Sequence, residues 1–331
     1  MLRETAWGKG RIVAAINMSN FKIVVLGDSV TWGQGLLDSQ KMHNLVAGIF
    51  SDKAAADVCL LAHSGAIIGA DIDTNAPSVD GEVPASYPTV LQQCHGFASD
   101  VQQVDLVIVN GGINDVDFHV IVNPLTDPSD LHDLIVQYCY EDMKTLLSEV
   151  AAKFANPGTK IVLTSYYPIL SRKSAMELIP CFLLLHGIAT PPFLLPINDL
   201  ALGRPVNNCL QFWTESNILF ERAVDEVNSS QPQARRIFFA KAPFAEENAV
   251  FAPNAWLWGV NPDLSPQDPV QDDRHESCDI YEGDLIQRET CYRASAGHPN
   301  ILGAQQFAKE ICAVIGKPMV IATSEVKAES I

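Results

Sequence analysis

The 331-residue sequence predicts an α/β protein in which helices cover both faces of a parallel central sheet. Five short runs rich in Val, Ile, Leu and Phe recur along the chain without strict alternation, which is typical of strands buried on both faces. Helix-like segments separate these runs, and this alternation favours parallel strands joined by crossover helices. Because no linker interrupts the pattern, we expect residues 1–331 to form a single domain with insertions.

Each predicted element has its own signal. The strands are the apolar runs Lys22–Leu26, Val58–Leu61, Asp105–Val109, Lys160–Thr164 and Arg236–Ala240. Apolar residues at helical spacing predict helices over Ser129–Phe154, Asn217–Asn228 and Ile301–Ile315, and Asn156-Pro157-Gly158 stops the first of them. The long stretches Ser171–Phe212, apolar with proline breaks, and Ala242–Arg293, loop-like and acidic, are predicted insertions at the carboxyl edge of the sheet.

Composition and charge narrow the classes of partner. The formal net charge is −17, and an acidic surface repels phosphate backbones, so no nucleic-acid partner is expected. No uncharged apolar stretch is long enough for an integral membrane segment, and Ile12–Ile16 is too short for the apolar region of a signal peptide. A cytoplasmic protein is therefore expected, with a small-molecule substrate as its partner.

The eight cysteines are dispersed, and none forms a C-x-x-C pair. This spacing argues against a zinc site, so neither a metal nor a cofactor is expected. Most of the cysteines are interpreted as buried thiols. Cys278 and Cys291 bracket a polar loop and are the one pair that could form a disulfide.

Ser29 is the first candidate for a reactive group. It follows the strand Lys22–Leu26 in the turn Gly27-Asp28-Ser29, and α/β proteins bind ligands at the carboxyl ends of their strands. Such a turn presents a side chain at that edge, so Ser29 is a candidate nucleophile. Alternatively, Asp28 or Ser29 only caps the helix that follows.

Three later segments reach the same edge of the predicted sheet and supply what acyl transfer needs. Gly65 follows the second strand, Asn114 follows the third, and His298 precedes the last helix. A histidine offers a base of near-neutral pKa. The Gly65 main-chain amide and the Asn114 side-chain amide offer hydrogen-bond donors for an oxyanion.

With these residues, the chain resembles the SGNH, or GDSL-type, hydrolase superfamily of esterases and lipases. Four blocks match in order, and they are Gly27-Asp28-Ser29-Val30, Gly65, Gly112-Ile113-Asn114-Asp115 and His298-Pro299-Asn300 followed by Gly303. Val30 stands where leucine is commoner in the family. The Gly-x-Ser-x-Gly elbow of the other large class of α/β esterases is absent.

The resemblance implies a flavodoxin-like three-layer α/β/α sandwich and a two-step serine mechanism. Ser29 would attack an ester carbonyl while His298 accepts its proton, and the Ser29 and Gly65 amides with Asn114 would form the oxyanion hole. His298 would then protonate the leaving alcohol, and water would hydrolyse the acyl-enzyme. No metal or cofactor takes part in this scheme.

One position departs from the family pattern. The family usually places an aspartate three residues before the histidine, and this chain has Ser295 there. Three interpretations stay open. In the first, the triad is damaged and the enzyme is weak. In the second, a main-chain carbonyl of residues 294–296 orients the imidazole of a Ser29–His298 dyad. In the third, a carboxylate such as Glu282, Asp284 or Glu289 orients the imidazole from elsewhere in the chain. The tight polar turn favours the carbonyl.

The resemblance predicts a carboxylic ester hydrolase, and an apolar stretch bears on its substrate. The segment Cys181–Ile197 is rich in Leu and Phe, and as a cap over the acyl pocket it would favour lipid or medium-chain acyl esters. The same segment could instead be a buried helix with a proline-rich loop. The alternatives to an esterase or lipase are a carbohydrate O-acetyl esterase and a catalytically impaired ligand-binding homologue.

Overall fold

The protein is described from a computed structural model, which covers residues 20–50, 56–69, 82, 88–188, 202–230, 235–261, 263, 265–280, 285–317 and 319. Its centre is a five-stranded, fully parallel sheet in the order β2-β1-β3-β4-β5. The strands are β1 (Lys22–Val25), β2 (Asp57–Leu60), β3 (Leu106–Val109), β4 (Lys160–Thr164) and β5 (Ile237–Ala240). The predicted α/β class and parallel sheet are confirmed, and each strand starts and ends within one residue of its prediction.

Helices occupy the connections between strands. The first group is α1 (Ser29–Trp32), α2 (Met42–Phe50), α3 (Val90–Gly96), α4 (Ile113–Val116), α5 (Phe118–Val122), α6 (Pro128–Val136) and α7 (Met143–Lys153). The second group is α8 (Ile179–Leu185), α9 (Gly203–Ser230), α10 (Gln271–Ile280), α11 (Leu285–Tyr292) and α12 (Ile301–Val314). Short 3₁₀ turns lie at Asp38–Gln40, Val101–Gln103, Met176–Leu178 and Glu246–Asn248.

The helices pack in two layers around the sheet, as a three-layer α/β/α sandwich requires. Helix α12 packs against α2, β4 and β5, whereas α9 packs against α6, α7 and β5. The residues of β3 are buried throughout, because helices cover the sheet on both sides. One apolar core runs from Ile23 to Ile315 through the described residues. That residues 1–331 form a single domain with insertions stays a prediction.

Two predicted helices differ from the structure in their details. The predicted helix Ser129–Phe154 is interrupted by a π-helical segment, Gln137–Asp142, which joins α6 to α7. The Cys139 thiol of this segment faces the asparagine block, since a Cβ added at Gly112 would lie 3.3 Å from its sulfur. The helix predicted over Asn217–Asn228 starts much earlier, at Gly203, so the end of the first predicted insertion is helical.

The second predicted insertion is also more ordered than a loop. It contains α10 and α11, and a disulfide between Cys278 and Cys291 joins these helices. The other six cysteines are free, and four of them are buried. Disulfides are commonest in oxidising compartments, so the cytoplasmic location stays a prediction. Within the described part of the chain, no helix combines the length and apolarity needed to cross a bilayer.

Candidate active site

The Gly27-Asp28-Ser29 turn lies at the carboxyl end of β1, as predicted, and Ser29 is the first residue of α1. Gly27 has φ +133°, and a Cβ added there would lie 2.8 Å from the carbonyl oxygen of Asn110, so only glycine fits. The Asp28 carboxylate caps α1 by accepting from the Val30 amide. Capping is therefore the role of Asp28, and it leaves the Ser29 hydroxyl available. The Ser29 amide lies in the first turn of α1, where main-chain amides have no helical partner.

Two buried side chains that sequence reasoning missed hold this turn in place. The Gln93 amide accepts from the Gly27 N–H at 2.8 Å and donates to the Gly27 carbonyl at 3.0 Å. The Tyr166 hydroxyl donates to Asp28 at 2.7 Å and accepts from the Ile113 N–H at 3.0 Å. Tyr166 therefore joins the nucleophile block to the asparagine block. Neither residue carries a sequence signal, because each acts through contacts with residues distant in the chain.

The predicted oxyanion donors lie at the ends of the neighbouring strands. Gly65 lies in the turn after β2 with φ +75°, and Asn114 lies in α4, directly after β3. One N–H of the Asn114 side chain donates to the Ala66 carbonyl at 2.9 Å, which fixes the amide and leaves its second N–H for another acceptor. Asp115 accepts from the Ile68 amide, and burial raises its pKa to about 7. These bonds tie the Gly65 turn to α4.

His298 meets Ser29 across the sheet edge. Its Nε2 lies 2.7 Å from the Ser29 hydroxyl oxygen, although the two residues are 269 positions apart in the chain. Among the described residues, the buried Nδ1 has no hydrogen-bond partner. The main-chain groups of Ala294 and Ser295 act to raise the His298 pKa, but neither forms a hydrogen bond of ordinary distance and angle with Nδ1. The expected carbonyl bond to Nδ1 therefore stays a prediction.

Main-chain hydrogen bonds help to hold the turn that carries His298. Trp258 donates its N–H to the His298 carbonyl at 2.8 Å and accepts from the Gly297 N–H at 2.9 Å. Gly297 has φ +90°, and the buried Phe182 ring lies 3.4 Å from the position a Cβ would take there. Trp256 likewise accepts from the Asn300 N–H. The two tryptophans thus anchor the long loop, and within the described chain neither lines the cavity beside Ser29.

The environment of His298 favours a neutral imidazole. Burial and then the Arg274 guanidinium lower its pKa to about 4, while the two main-chain groups and Asp268 oppose this shift. A histidine with a lowered pKa is unprotonated at neutral pH and can accept a proton from a hydroxyl. On the nucleophile side, burial raises the pKa of Asp28 to about 6 despite the Tyr166 hydrogen bond.

A buried carboxylate, which sequence reasoning missed, lies behind the histidine turn. Ser295 donates its hydroxyl to Asp268 at 2.5 Å. Asp268 also forms a bidentate pair with Arg274, with N–O distances of 2.9 and 2.6 Å, and both side chains are fully buried. Of the carboxylates considered from the sequence, Glu289 binds Arg293, and Glu282 and Asp284 lie outside the described residues. No motif marks Asp268, which lies 27 residues before Ser295.

A cavity of about 480 Å³ opens above the Ser29–His298 pair, within the size range of small-molecule sites. All four predicted site residues, namely Ser29, Gly65, Asn114 and His298, line it. Ile113, Phe118, Tyr167 and Ile169 form its apolar part, and Gln34, Ser64, Asp117 and His119 form a polar part.

The apolar insertion contributes less to this cavity than predicted. His186 and Gly187 line it, whereas Phe182 and Leu183 are buried in the core and Leu184 is 65% exposed. Phe193, Leu194 and Leu195 lie outside the described residues. The described part of Cys181–Ile197 is thus mainly a buried helix, and the proposed cap over the acyl pocket stays a prediction.

Comparison with known proteins gives one family match. Residues 25–182 match the model of the GDSL-like lipase/acylhydrolase family, a range that contains the serine, glycine and asparagine blocks. No curated protein sequence shows significant similarity to this chain.

Solved structures with a similar fold include two ester hydrolases of low identity. The lipase Lip_vut3 from a goat rumen metagenome is 12% identical with a TM-score of 0.46, and the match covers 90% of this chain and 99% of that one. A single-residue variant of Axe2, an acetyl xylan esterase from Geobacillus stearothermophilus, is 13% identical with a TM-score of 0.38, covering 92% and 98% of the two chains. At these identities neither assigns a substrate to this chain.

Proposed function

This chain belongs to the SGNH, or GDSL-type, hydrolase superfamily, and we propose that it is a serine esterase that hydrolyses carboxylic esters through an acyl-enzyme on Ser29. The observation that carries this proposal is the 2.7 Å contact between His298 Nε2 and the Ser29 hydroxyl at the floor of an open cavity. A nucleophile bonded to a neutral imidazole is the arrangement that activates serine for acyl transfer.

In the first half-reaction, Ser29 Oγ attacks the ester carbonyl carbon while His298 Nε2 accepts the hydroxyl proton. The carbonyl oxygen becomes an oxyanion, which accepts hydrogen bonds from the Ser29 amide, the Gly65 amide and the free N–H of Asn114. The tetrahedral intermediate then collapses, and the bond to the alcohol oxygen breaks. His298 gives its proton to that oxygen, so the alcohol leaves neutral and the acyl group stays on Ser29.

In the second half-reaction, water takes the place of the alcohol. His298 accepts a proton from the water as its oxygen attacks the acyl carbon, and the same three donors stabilise the oxyanion. Collapse returns the proton to Ser29 and releases the carboxylic acid. A His298 pKa of about 4 keeps the imidazole ready to accept a proton in both half-reactions at neutral pH.

The cavity favours uncharged esters. Among its described lining residues there is no Lys or Arg, and Asp117 contributes a carboxylate. The segments 70–81 and 189–201, which flank lining residues in the sequence, also contain no Lys or Arg. With a net charge of −17, the chain would repel an ester with an anionic alcohol group. Neutral esters of medium-chain acids fit the apolar part of the lining.

A second candidate is the deacetylation of a carbohydrate, and the polar part of the cavity favours it. Asp117 accepts from both the main-chain amide and the imidazole of His119, at 2.9 and 3.0 Å, and both residues line the cavity. The carboxylate of Asp117 and the imidazole of His119 could form hydrogen bonds with the hydroxyls of a sugar that leaves as the alcohol. The part of the cavity that binds the acyl group would then need to hold only an acetyl group.

The test combines a substrate panel with the variant Ser29→Ala. We expect the wild type to hydrolyse p-nitrophenyl esters and to bind a fluorophosphonate covalently, and Ser29→Ala to lose kcat by on the order of 10⁶, as for serine proteases. Chain lengths from acetate to laurate separate the two substrate classes, because only a medium-chain esterase gains kcat/KM beyond acetate. Acetylated xylan oligosaccharides test the second candidate directly.

Ser64→Ala is the matched control, because Ser64 is a second buried serine in the same cavity. Its variant should still be labelled by the fluorophosphonate. Labelling that persists in Ser29→Ala would disprove the nucleophile assignment. A folded wild type that binds esters without any turnover would instead support the ligand-binding homologue.

A further inference from the structure

We propose that Asp268, acting through Ser295, is the positioning carboxylate of His298, so that two residues together replace the single aspartate that the family usually has three positions before its histidine. This inference rests on the proposed function. It does not require a direct bond between a carboxylate and the imidazole.

The first support is the burial of the group. Ser295, Asp268 and Arg274 have buried side chains, and Arg274 also donates to the Tyr292 carbonyl at 2.9 Å. A buried ion pair loses solvation that its attraction seldom repays, so it is weak evidence for a purely stabilising role. Here every oxygen of the Asp268 carboxylate has a donor, which makes the pair a rigid support.

The second support is the path from Asp268 to His298. The Ser295 side chain is bonded to Asp268, and the Ser295 carbonyl accepts from the His298 N–H at 2.9 Å. Ser295 therefore fixes the start of the short turn that ends at His298. Gly35, from the loop after α1, packs against this point, since a Cβ added there would lie 2.7 Å from the Ser295 Cβ. The loop after α1 and the turn that carries His298 thus meet at Ser295.

The third support is electrostatic. Asp268 acts to raise the His298 pKa, and Arg274 acts to lower it by a larger amount. Because Asp268 is the smallest of these influences on the His298 pKa, we assign it an effect on position rather than on proton affinity. An indirect link of this kind should contribute less to turnover than an aspartate bonded to the imidazole, whose loss costs about 10⁴ in serine proteases.

The key variant is Ser295→Ala, because it cuts the link and leaves the ion pair between Asp268 and Arg274 intact. We expect kcat to fall about 10- to 100-fold with little change in KM, since orientation of the base matters in the transition state. The matched control is Glu289→Gln, which removes a carboxylate of the same insertion that pairs with Arg293, and it should keep wild-type kcat.

A double-variant cycle tests whether Asp268 acts through Ser295. The combination Asp268→Leu with Arg274→Met removes both charges and the acceptor of the Ser295 hydroxyl together, so no unpaired ion is left buried. If the two residues form one path, adding Ser295→Ala to this background should lower kcat by less than about twofold. A drop as large as in the wild-type background would overturn the proposal.

A readout independent of turnover completes the test. ¹⁵N chemical shifts of the histidine rings, assigned by comparison with His298→Ala, report which nitrogen of His298 carries the proton. We expect one dominant tautomer, with the proton on Nδ1, in the wild type and a mixture in Ser295→Ala. Unchanged kcat and an unchanged tautomer in Ser295→Ala would disprove the inference and favour a carbonyl as the orienting group. A wild type without esterase activity that still shows the tautomer change would contradict the proposed function alone.

Discussion

The two sides of the candidate site are built by different means. Ser29, Gly65 and Asn114 each lie within a few residues of the end of a strand, in a turn or at the start of a short helix. His298 instead follows a long insertion that contains a buried ion pair, a disulfide and main-chain bonds between Trp258 and the histidine turn. We call these the strand side and the insertion side of the site.

This difference separates a part of the site that is built on the ends of strands from a part that is built on an insertion. On the strand side, parallel strands in register bring the proposed nucleophile and oxyanion donors to neighbouring strand ends, where the side chains of Gln93 and Tyr166 hold the nucleophile turn. The insertion side needs residues 268, 274 and 295 to place one imidazole. Replacing a proposed reacting group on the strand side should therefore affect mainly chemistry, whereas damage to the insertion side should affect chemistry and local stability together.

After loss of the nucleophile itself, the largest effect is expected on the strand side, for Asn114→Ala. Loss of this oxyanion donor should lower kcat by roughly 10²–10³ with KM little changed, because the donor acts mainly on charge that develops in the transition state. Steady-state kinetics with a p-nitrophenyl ester measures both constants, and thermal unfolding monitors the bond to Ala66.

The control for this variant is Asn123→Ala, because the Asn123 side chain caps an exposed loop by accepting from the Leu125 N–H. It should leave both constants unchanged. If Asn114→Ala raised KM and spared kcat, Asn114 would hold substrate rather than the oxyanion. If it unfolded the protein, the bond from Asn114 to Ala66 would be needed for folding as well as for chemistry.

The same contrast explains how much of the molecule could be predicted from sequence. The strands give short apolar runs, so all five were located to within one residue, although β2 and β5 are only partly buried. The start of α9 was missed because Pro205 indicates a break, although proline is tolerated in the first turn of a helix. Helix α10 was missed because it is almost wholly polar and presents no apolar stripe.

The site shows the same limits. The four blocks predicted Ser29, Gly65, Asn114 and His298, and the structure brings all four to one cavity. Their roles in catalysis stay proposals. Gln93, Tyr166 and Asp268 could not be predicted, because buried hydrogen bonds between residues far apart in the chain leave no local pattern.

An intermediate effect is expected from pH, and it tests the insertion side. His298 must be neutral to accept a proton, and its pKa is lowered to about 4 by burial and by Arg274, against the opposing effect of Asp268. The value of kcat/KM should therefore stay constant from neutral pH to about 5 and fall about tenfold per unit below about 4. Circular dichroism at each pH shows whether the protein is still folded. Recovery of activity on return to neutral pH then distinguishes protonation of His298 from irreversible unfolding.

A fall in activity near the ordinary histidine pKa of about 6.5 would contradict this prediction. It would show that His298 behaves as a solvated imidazole in the working enzyme. A fall in kcat/KM near pH 6 that disappears in Asp28→Asn would instead show that Asp28 controls the loss of activity. Burial raises the pKa of Asp28 to about 6. The controlling group would then lie on the strand side.

The smallest effect on activity is expected from removal of the disulfide. Cys278→Ser with Cys291→Ser frees α10, which carries Arg274, from the segment that leads to His298. Because the bridge closes a short loop, its loss should lower the free energy of unfolding by about 2–3 kcal/mol and kcat only a few-fold. Thermal unfolding and ester hydrolysis measure the two effects.

The control is reduction by dithiothreitol, which should reproduce both effects in the wild type and change nothing further in the double variant. That result would exclude the six free cysteines as the cause. A wild-type melting temperature and kcat in the double variant would show that the ion pair and the Trp258 contacts hold the insertion side without the bridge.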